Sequence, residues 1–113
     1  MPNLLLLDDD EDQLFMFQML IESKTDFKVS AHSQPEAALA ALDSHNYDYL
    51  VCDIMMPSIN GVELASKVKK SHPAINIILL TAAAYEQTAD FKIIPKANAK
   101  TALLEELGKH KDS

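Results

Sequence analysis

Leu4-Leu5-Leu6-Leu7-Asp8-Asp9-Asp10 is a short, unbroken apolar run that ends in three carboxylates. Runs of this kind read as strands buried on both faces, as in a parallel sheet. The pattern returns at Tyr49-Leu50-Val51-Cys52, which ends in Asp53. If these two strands lie side by side and parallel, both acidic ends meet at one edge of the sheet. Clustered carboxylates repel one another unless a cation or a proton is shared among them. A hard divalent cation such as Mg²⁺ suits such a place, because it takes oxygen ligands and often bridges carboxylate to phosphate. The pattern therefore puts one reactive aspartate beside a metal ion.

Outward from these two runs, strands and helices alternate. Asn3 to Leu7 is the first strand, Phe27 to Ala31 a weaker second one nearer an edge, and Tyr49 to Cys52 the third. Ile75 to Leu80 is the fourth and most apolar, and Phe91 to Ile94 a short fifth. Asp10 to Glu22 is helical, with apolar Leu14, Phe15, Met16, Phe17, Met19, Leu20 and Ile21, and its acidic first turn favours the helix dipole. Ser33 is expected to cap a helix that opens on Pro35-Glu36 and runs through Ala37 to Leu42. Pro57 to Gly61 reads as a loop. Val62 to Lys70 is amphipathic, with Val62, Leu64, Ala65 and Val68 inward, and Ala99 to Lys109 forms the last helix, with Leu103, Leu104 and Leu107 inward and Gly108 near its end. Alternation of this kind implies a parallel sheet with right-handed crossovers. Ligands bind such sheets beyond the carboxyl ends of the strands, where strand order reverses. Asp8, Asp9, Asp53 and Thr81 all fall at or just after a strand end.

The 113 residues make one domain, 1–113, with 48% apolar residues, enough for a core and against disorder. A formal net charge of −7 argues against nucleic acid as a direct partner, since phosphate binding needs a basic face. The lone Cys52 excludes an internal disulfide and fits a reducing compartment. No stretch has the roughly 18 apolar residues of a membrane span, so a soluble cytoplasmic domain without membrane contact is expected. Asp10, Glu11 and Asp12 read as helix-start charges. Cys52 reads as a small core residue, Met55 and Met56 as packing or lining the site rim, and His32, His45, His72 and His110 as solvated.

The segments Leu4 to Asp10, Asp53-Ile-Met-Met-Pro57-Ser-Ile-Asn-Gly61 and Ile77-Ile-Leu-Leu-Thr81-Ala82 resemble the receiver domain of two-component response regulators, in order and over essentially the whole chain. The resemblance implies a flavodoxin-like, chemotaxis-regulator-like α/β fold: an open parallel five-stranded sheet of order 2-1-3-4-5, with helices on both faces. It implies that Asp53 is the phosphoacceptor, that Asp9 ligates Mg²⁺ directly and Asp8 mostly through water, and that the Met55 backbone carbonyl completes the protein's share of the coordination. Thr81 would hydrogen-bond a phosphoryl oxygen, and Phe91 matches the aromatic position that reorients on activation. The implied partners are a sensor histidine kinase or phosphotransfer protein, and a downstream effector or covalently linked output domain. No enzyme activity is implied beyond the domain's own phosphorylation and dephosphorylation. The chain reads equally as a stand-alone regulator or as a receiver cut from a longer protein.

Two departures from the family stand out. The lysine that normally precedes the proline after the fifth strand is replaced by Ile94, in Phe91-Lys92-Ile93-Ile94-Pro95-Lys96. Lys96 and Lys92 are candidates to substitute for it, unless both are solvated surface charges. Secondly, only Thr81 to Asp90 separate the fourth and fifth strands, whereas a crossover with its helix needs about 10–12 residues or more. The family's fourth helix, left with Tyr85 to Asp90, is expected to be absent or vestigial. Its loss would uncover apolar sheet surface near Ile77, Leu79 and Ile93, which a partner or a second copy in a homodimer would cover. Both departures favour an alternative reading: a pseudo-receiver that works as a phosphorylation-independent interaction module. A Mg²⁺-dependent phosphatase of the haloacid dehalogenase type is disfavoured, because neither acidic site has that family's Asp-x-Asp with a following cap region.

Overall fold

In this computed structural model, which describes residues 2–82 and 91–110, five parallel strands form one sheet of order β2-β1-β3-β4-β5. The elements are β1 (Asn3–Leu7), α1 (Glu11–Lys24), β2 (Lys28–His32), α2 (Pro35–Ser44), β3 (Tyr49–Asp53), α3 (Gly61–Ser71), β4 (Asn76–Thr81), β5 (Lys92–Pro95), a 3₁₀ turn (Lys96–Asn98) and α4 (Ala99–Leu107). The expected fold class and strand order are those observed, with β2 at one edge. The reading of a shortened fourth family helix at Tyr85 to Asp90 lies outside the described residues.

The two central strands are apolar without alternation because both faces of the sheet are covered. Leu4 to Leu7 and all of β3 are buried. On one face Leu5, Leu7, Leu50, Cys52, Ile77, Leu79 and Ile93 pack under α2 and α3. On the other face Leu4, Leu6, Tyr49, Val51, Ile78, Leu80 and Ile94 pack under α1 and α4. The apolar surface expected to be open near Ile77, Leu79 and Ile93 is therefore not found. All three are buried, at 7%, 0% and 2% exposure, in the core that α3 helps to close. That removes the reason for expecting a homodimer through this face.

Helix ends carry several corrections. Asp10 caps α1, its carboxylate accepting the backbone N–H groups of Asp12 and Gln13 at 3.0 and 3.2 Å. Asn60 caps α3 by accepting the Val62 N–H at 2.8 Å. Ser33 does not cap α2: the cap position is Gln34, which makes no side-chain bond, and Pro35 opens the helix. Proline is preformed for that first helical position and brings no N–H of its own to satisfy. In α1 only Phe17 and Ile21 are buried, while Phe15, Met16 and Met19 face outward. β5 begins one residue later than expected, at Lys92, which leaves Phe91 buried just ahead of it.

Two histidines read as solvated are structural. His72 Nε2 lies 3.1 Å from the Leu42 carbonyl oxygen. The His110 ring packs against Phe27 and Tyr49, with centroids 5.3 and 5.6 Å away.

Candidate functional site

Register brings the site together. Leu7 pairs with Cys52, Asp53 with Leu80, and Thr81 with Pro95. The residues that end β1, β3, β4 and β5 are therefore neighbours along one edge, across the point between β1 and β3 where the chain order reverses. Asp8 and Asp53 are buried there, at 1% and 5% exposure, while Asp9 is exposed. One carboxylate oxygen from each of the three lies within 4.8 Å of the others. Asp10 points away into its capping role, as its place in the helix start predicts.

The buried carboxylates are held on specific donors. Asp8 Oδ1 accepts the Asp10 N–H at 2.9 Å, and Asp53 Oδ1 accepts the Met55 N–H at 3.2 Å. The remaining oxygens face a single cation. Lys96 Nζ donates to Asp8 Oδ2 at 3.3 Å and to Asp53 Oδ2 at 3.1 Å, with its side chain only 15% exposed. Of the two candidate lysines, the structure thus brings Lys96 to the site. Lys92 is exposed at the start of β5, the end of that strand away from Thr81 and Pro95. Ile94 is a core residue beneath α1 and α4.

Electrostatics follow from this geometry. Burial pushes the Asp8 carboxyl above its usual range, and the nearby Asp53 adds to that, against the lowering effect of the Asp10 N–H and Lys96. Burial alone would lower the Lys96 ammonium, yet its contacts with Asp53 and Asp8 prevail and raise it. Lys96 is therefore a fixed positive charge. Three carboxylates against one ammonium still leave the pocket net negative. Oxygen ligands, excess negative charge and one exposed member open to water match what Mg²⁺ takes, and Asp8, Asp9 and Asp53 are the residues that would hold it.

The other site residues occupy supporting places. Thr81 is buried at the end of β4, one residue past the Leu80 that pairs with Asp53. Phe91 is buried against the α3 side of the sheet. The Met55 side chain is 65% exposed on the rim, and its residue bridges to Asn60. Cys52 is fully buried; burial pushes its thiol far up, which leaves it an inert core group.

The sequence reading did not assign a function to Gly61. Its N–H donates to the Ile54 carbonyl at 2.8 Å, which draws the start of α3 onto the end of β3. A Cβ built on Gly61 would collide with the Asp53 carbonyl oxygen and lie 2.7 Å from Ile54 Cα. Glycine is required because two backbones meet here. The spacing Asp53-x₇-Gly61 within the quoted segment was the available signal.

Comparison with known proteins agrees with this geometry. The model of the response regulator receiver domain family matches residues 4–109. The chain is 34% identical to the response regulator SaeR of Staphylococcus aureus over 86 residues, 76% of this chain and 37% of that protein. It is 33% identical to the response regulator ArlR of Staphylococcus haemolyticus over 82 residues, 73% of this chain and 36% of that protein. The chain thus spans little more than a third of the length of the curated relatives it matches. Among solved structures, the response regulator TrrA of Thermotoga maritima, in complex with Mg²⁺-BeF, superposes with a TM-score of 0.86 at 26% identity, covering 96% of this chain and 98% of that one. The signal receiver domain of an HD domain-containing protein from Pseudomonas fluorescens shares the fold, with a TM-score of 0.85 at 22% identity over 96% and 92% of the two chains.

Proposed function

We propose that this chain, which belongs to the response regulator receiver domain family, accepts a phosphoryl group on Asp53 from the phosphohistidine of a sensor histidine kinase or phosphotransfer protein. The observation that carries this reading is the meeting of Asp8, Asp9, Asp53 and the Lys96 ammonium in one pocket. Phosphoryl transfer asks a protein mainly for positioning and for neutralisation of the transferred oxygens.

In the proposed reaction, an Asp53 carboxylate oxygen attacks phosphorus in line. The phosphorus–nitrogen bond of the donor breaks, its electron pair returns to the imidazole, and Asp53 becomes an acyl phosphate. Asp9 would hold Mg²⁺ directly, Asp8 largely through water, and the Met55 carbonyl would complete the set. When bound, the ion supplies positive charge to the phosphoryl oxygens. Lys96, which contacts Asp8 and Asp53, would supply a second positive charge, in the role that Ile94 cannot fill. The Thr81 hydroxyl donates to a third oxygen. Attack of water on the acyl phosphate returns Asp53 and inorganic phosphate, so the chain catalyses only its own turnover.

Support for the phosphorylation-independent alternative weakens, because one of its two grounds was the missing lysine, and Lys96 stands at the carboxylates. The signal would pass to an effector protein or to a linked output domain, as the greater length of its response-regulator relatives suggests. No helix among the described residues is long and apolar enough to cross a membrane. Together with the use of a single, buried cysteine, Cys52, that supports placement in the cytoplasm.

Incubation with Mg²⁺ and acetyl phosphate, followed by intact-mass measurement, tests the reading. One phosphoryl addition is expected, absent in EDTA and absent in Asp53→Asn. No adduct on the unaltered chain in the presence of Mg²⁺ would refute it.

A further inference from the structure

One asparagine of this chain stands apart chemically, and it lies at the junction that seats Asp53. The chain has five asparagines, and Asn60 is the one followed by glycine. At an asparagine, the backbone nitrogen of the next residue can attack the side-chain amide carbon. A side chain on that next residue shields the nitrogen, and glycine carries none. Leu4, Tyr47, Ile77 and Ala99 follow the other four. Position 61 cannot take a shielding side chain, because a Cβ there would run into the backbone of Asp53 and Ile54. The close approach of β3 and α3 thus leaves Asn60 with the most permissive neighbour there is.

In the folded chain both partners of that attack are tied down. Asn60 has φ −75° and ψ 131°, and its side-chain oxygen accepts the Val62 N–H at 2.8 Å. Gly61 is buried, and its N–H donates to the Ile54 carbonyl at 2.8 Å. Ring closure needs the Gly61 nitrogen to give up this proton to solvent base and to turn its face toward the Asn60 amide carbon. Those movements break the bonds just named, so they require the β3–α3 junction to open. Opening of this kind is a local unfolding event, and its population sets the rate of chemistry confined to the open state.

We propose that Asn60 is a modification site of this chain: a deamidation site that the fold protects and whose conversion to isoaspartate dismantles the seat of Asp53. A bond forms between the Gly61 nitrogen and the Asn60 side-chain amide carbon. The bond from that carbon to the amide nitrogen breaks, and ammonia leaves with the proton that Gly61 gave up. Water then opens the cyclic imide at either carbonyl. Cleavage of the new bond leaves aspartate, which can still accept the Val62 N–H as a cap. Cleavage of the original main-chain bond leaves isoaspartate, with the main chain rerouted through the former side chain and longer by one methylene. The Gly61–Ile54 bond, the cap on Val62 and the bridge of Asn60 to Met55 cannot all survive that insertion. Met55 donates its N–H to Asp53 Oδ1, so the damage reaches the Asp53 carboxylate directly. This chemistry goes beyond the phosphoacceptor reading and does not depend on it.

Peptide mapping by mass spectrometry tests this on the whole chain, aged in warm, mildly alkaline buffer with and without unfolding concentrations of urea. Conversion at Asn60 should be at least about tenfold faster in urea than in the native chain, as expected for chemistry gated by opening. Asn3, Asn46, Asn76 and Asn98 should stay intact over the same time. Asn60→Ser, which keeps a capping oxygen and has no amide to lose, should show no conversion at position 60. The isoaspartate form, isolated and refolded, should melt several degrees below the parent or show no cooperative transition, while Asn60→Asp should melt close to the parent. Equal conversion rates in the native and unfolded chain would overturn the protection by the fold. An isoaspartate form that melts with the parent would overturn the claim on the junction. With acetyl phosphate and Mg²⁺, the isoaspartate form should lose the adduct that the parent forms, and an isoaspartate form that keeps it would show that Asp53 is still seated and refute the proposal. A parent chain that forms no adduct would instead count against the phosphoacceptor reading, and the conversion rates and melting temperatures would still decide the proposal.

Discussion

Replacing Gly61 by alanine adds one methyl group at the junction of β3 and α3, and its cost can be weighed from the structure. The new Cβ would overlap the Asp53 carbonyl oxygen and lie 2.7 Å from Ile54 Cα, both of them backbone atoms that cannot swing aside. Overpacking of this kind costs about 1–3 kcal/mol. Alanine also gains helix propensity over glycine, up to about 1 kcal/mol in a helix interior and less at the first helical position, where Gly61 sits. The clash therefore wins. At roughly 4 °C per kcal/mol, the melting temperature should fall by several degrees.

The functional loss should be larger than the stability loss. The displaced atoms belong to Asp53 and Ile54, and a misplacement of about 1 Å can cost roughly 10²-fold in rate. Gly108 is the natural control, because the chain has only two glycines. Its φ of −65° suits alanine, and a Cβ there meets nothing nearer than the Leu104 carbonyl oxygen at 3.3 Å. Gly108→Ala should change stability by less than about 1 kcal/mol and leave phosphorylation intact. Thermal melts and the acetyl-phosphate adduct rate read both variants. Gly61→Ala with unchanged melting and an unchanged adduct rate would refute the claim that Gly61 positions Asp53.

Lys96→Met removes the cation between two buried carboxylates, which should destabilise the metal-free protein by about 3–5 kcal/mol in urea unfolding, and Mg²⁺ should recover part of that loss. Equal stability of variant and parent in EDTA would show that the ammonium is not seated as described. Asp8→Asn should raise the melting temperature in EDTA at neutral pH, because the buried carboxyl has its folded-state titration raised above the ordinary 3.8. The sign is that of a raised group: its stabilising contribution is complete below the unfolded value and is lost as pH rises through the folded value. The advantage of Asp8→Asn should therefore shrink as pH falls toward 4, and an advantage that grows on acidification would contradict it. Cys52 should resist alkylation by iodoacetamide in the native state and react on unfolding, as expected for a buried thiol whose ionisation is suppressed. Rapid native labelling would place it elsewhere than in the core.

The strands were the most legible part of this chain. β1, β3 and β4 are covered on both faces, so their positions are nearly all apolar and need no periodicity to be seen. The acidic site was legible for the same reason, since Asp8 and Asp53 each interrupt such a run at a strand end. α1 was less transparent. Its apolar residues run around the helix, and nothing in their spacing says that Phe15, Met16 and Met19 face outward. The lysine was legible only as a pair of candidates. Pro95 ends β5 and turns the chain, and a flexible four-carbon stem then reaches back into the pocket, a path that residue spacing does not encode. Gly61 was visible within a motif, while its reason lay in the approach of two backbones. The apolar surface expected near Ile77, Leu79 and Ile93 followed from a short connection, but these residues are buried in the core beside α3.

The central claim is that Asp53 is the phosphoacceptor of a pocket completed by Asp8, Asp9 and Lys96. Borohydride reduction of the chain after treatment with acetyl phosphate and Mg²⁺, followed by peptide mass mapping, tests it most directly, because it converts an acyl phosphate at aspartate into homoserine. The account predicts homoserine at position 53 alone, and none when Mg²⁺ is withheld. Homoserine at position 8 or 9 instead, or no conversion of Asp53 with Mg²⁺ present, would contradict it.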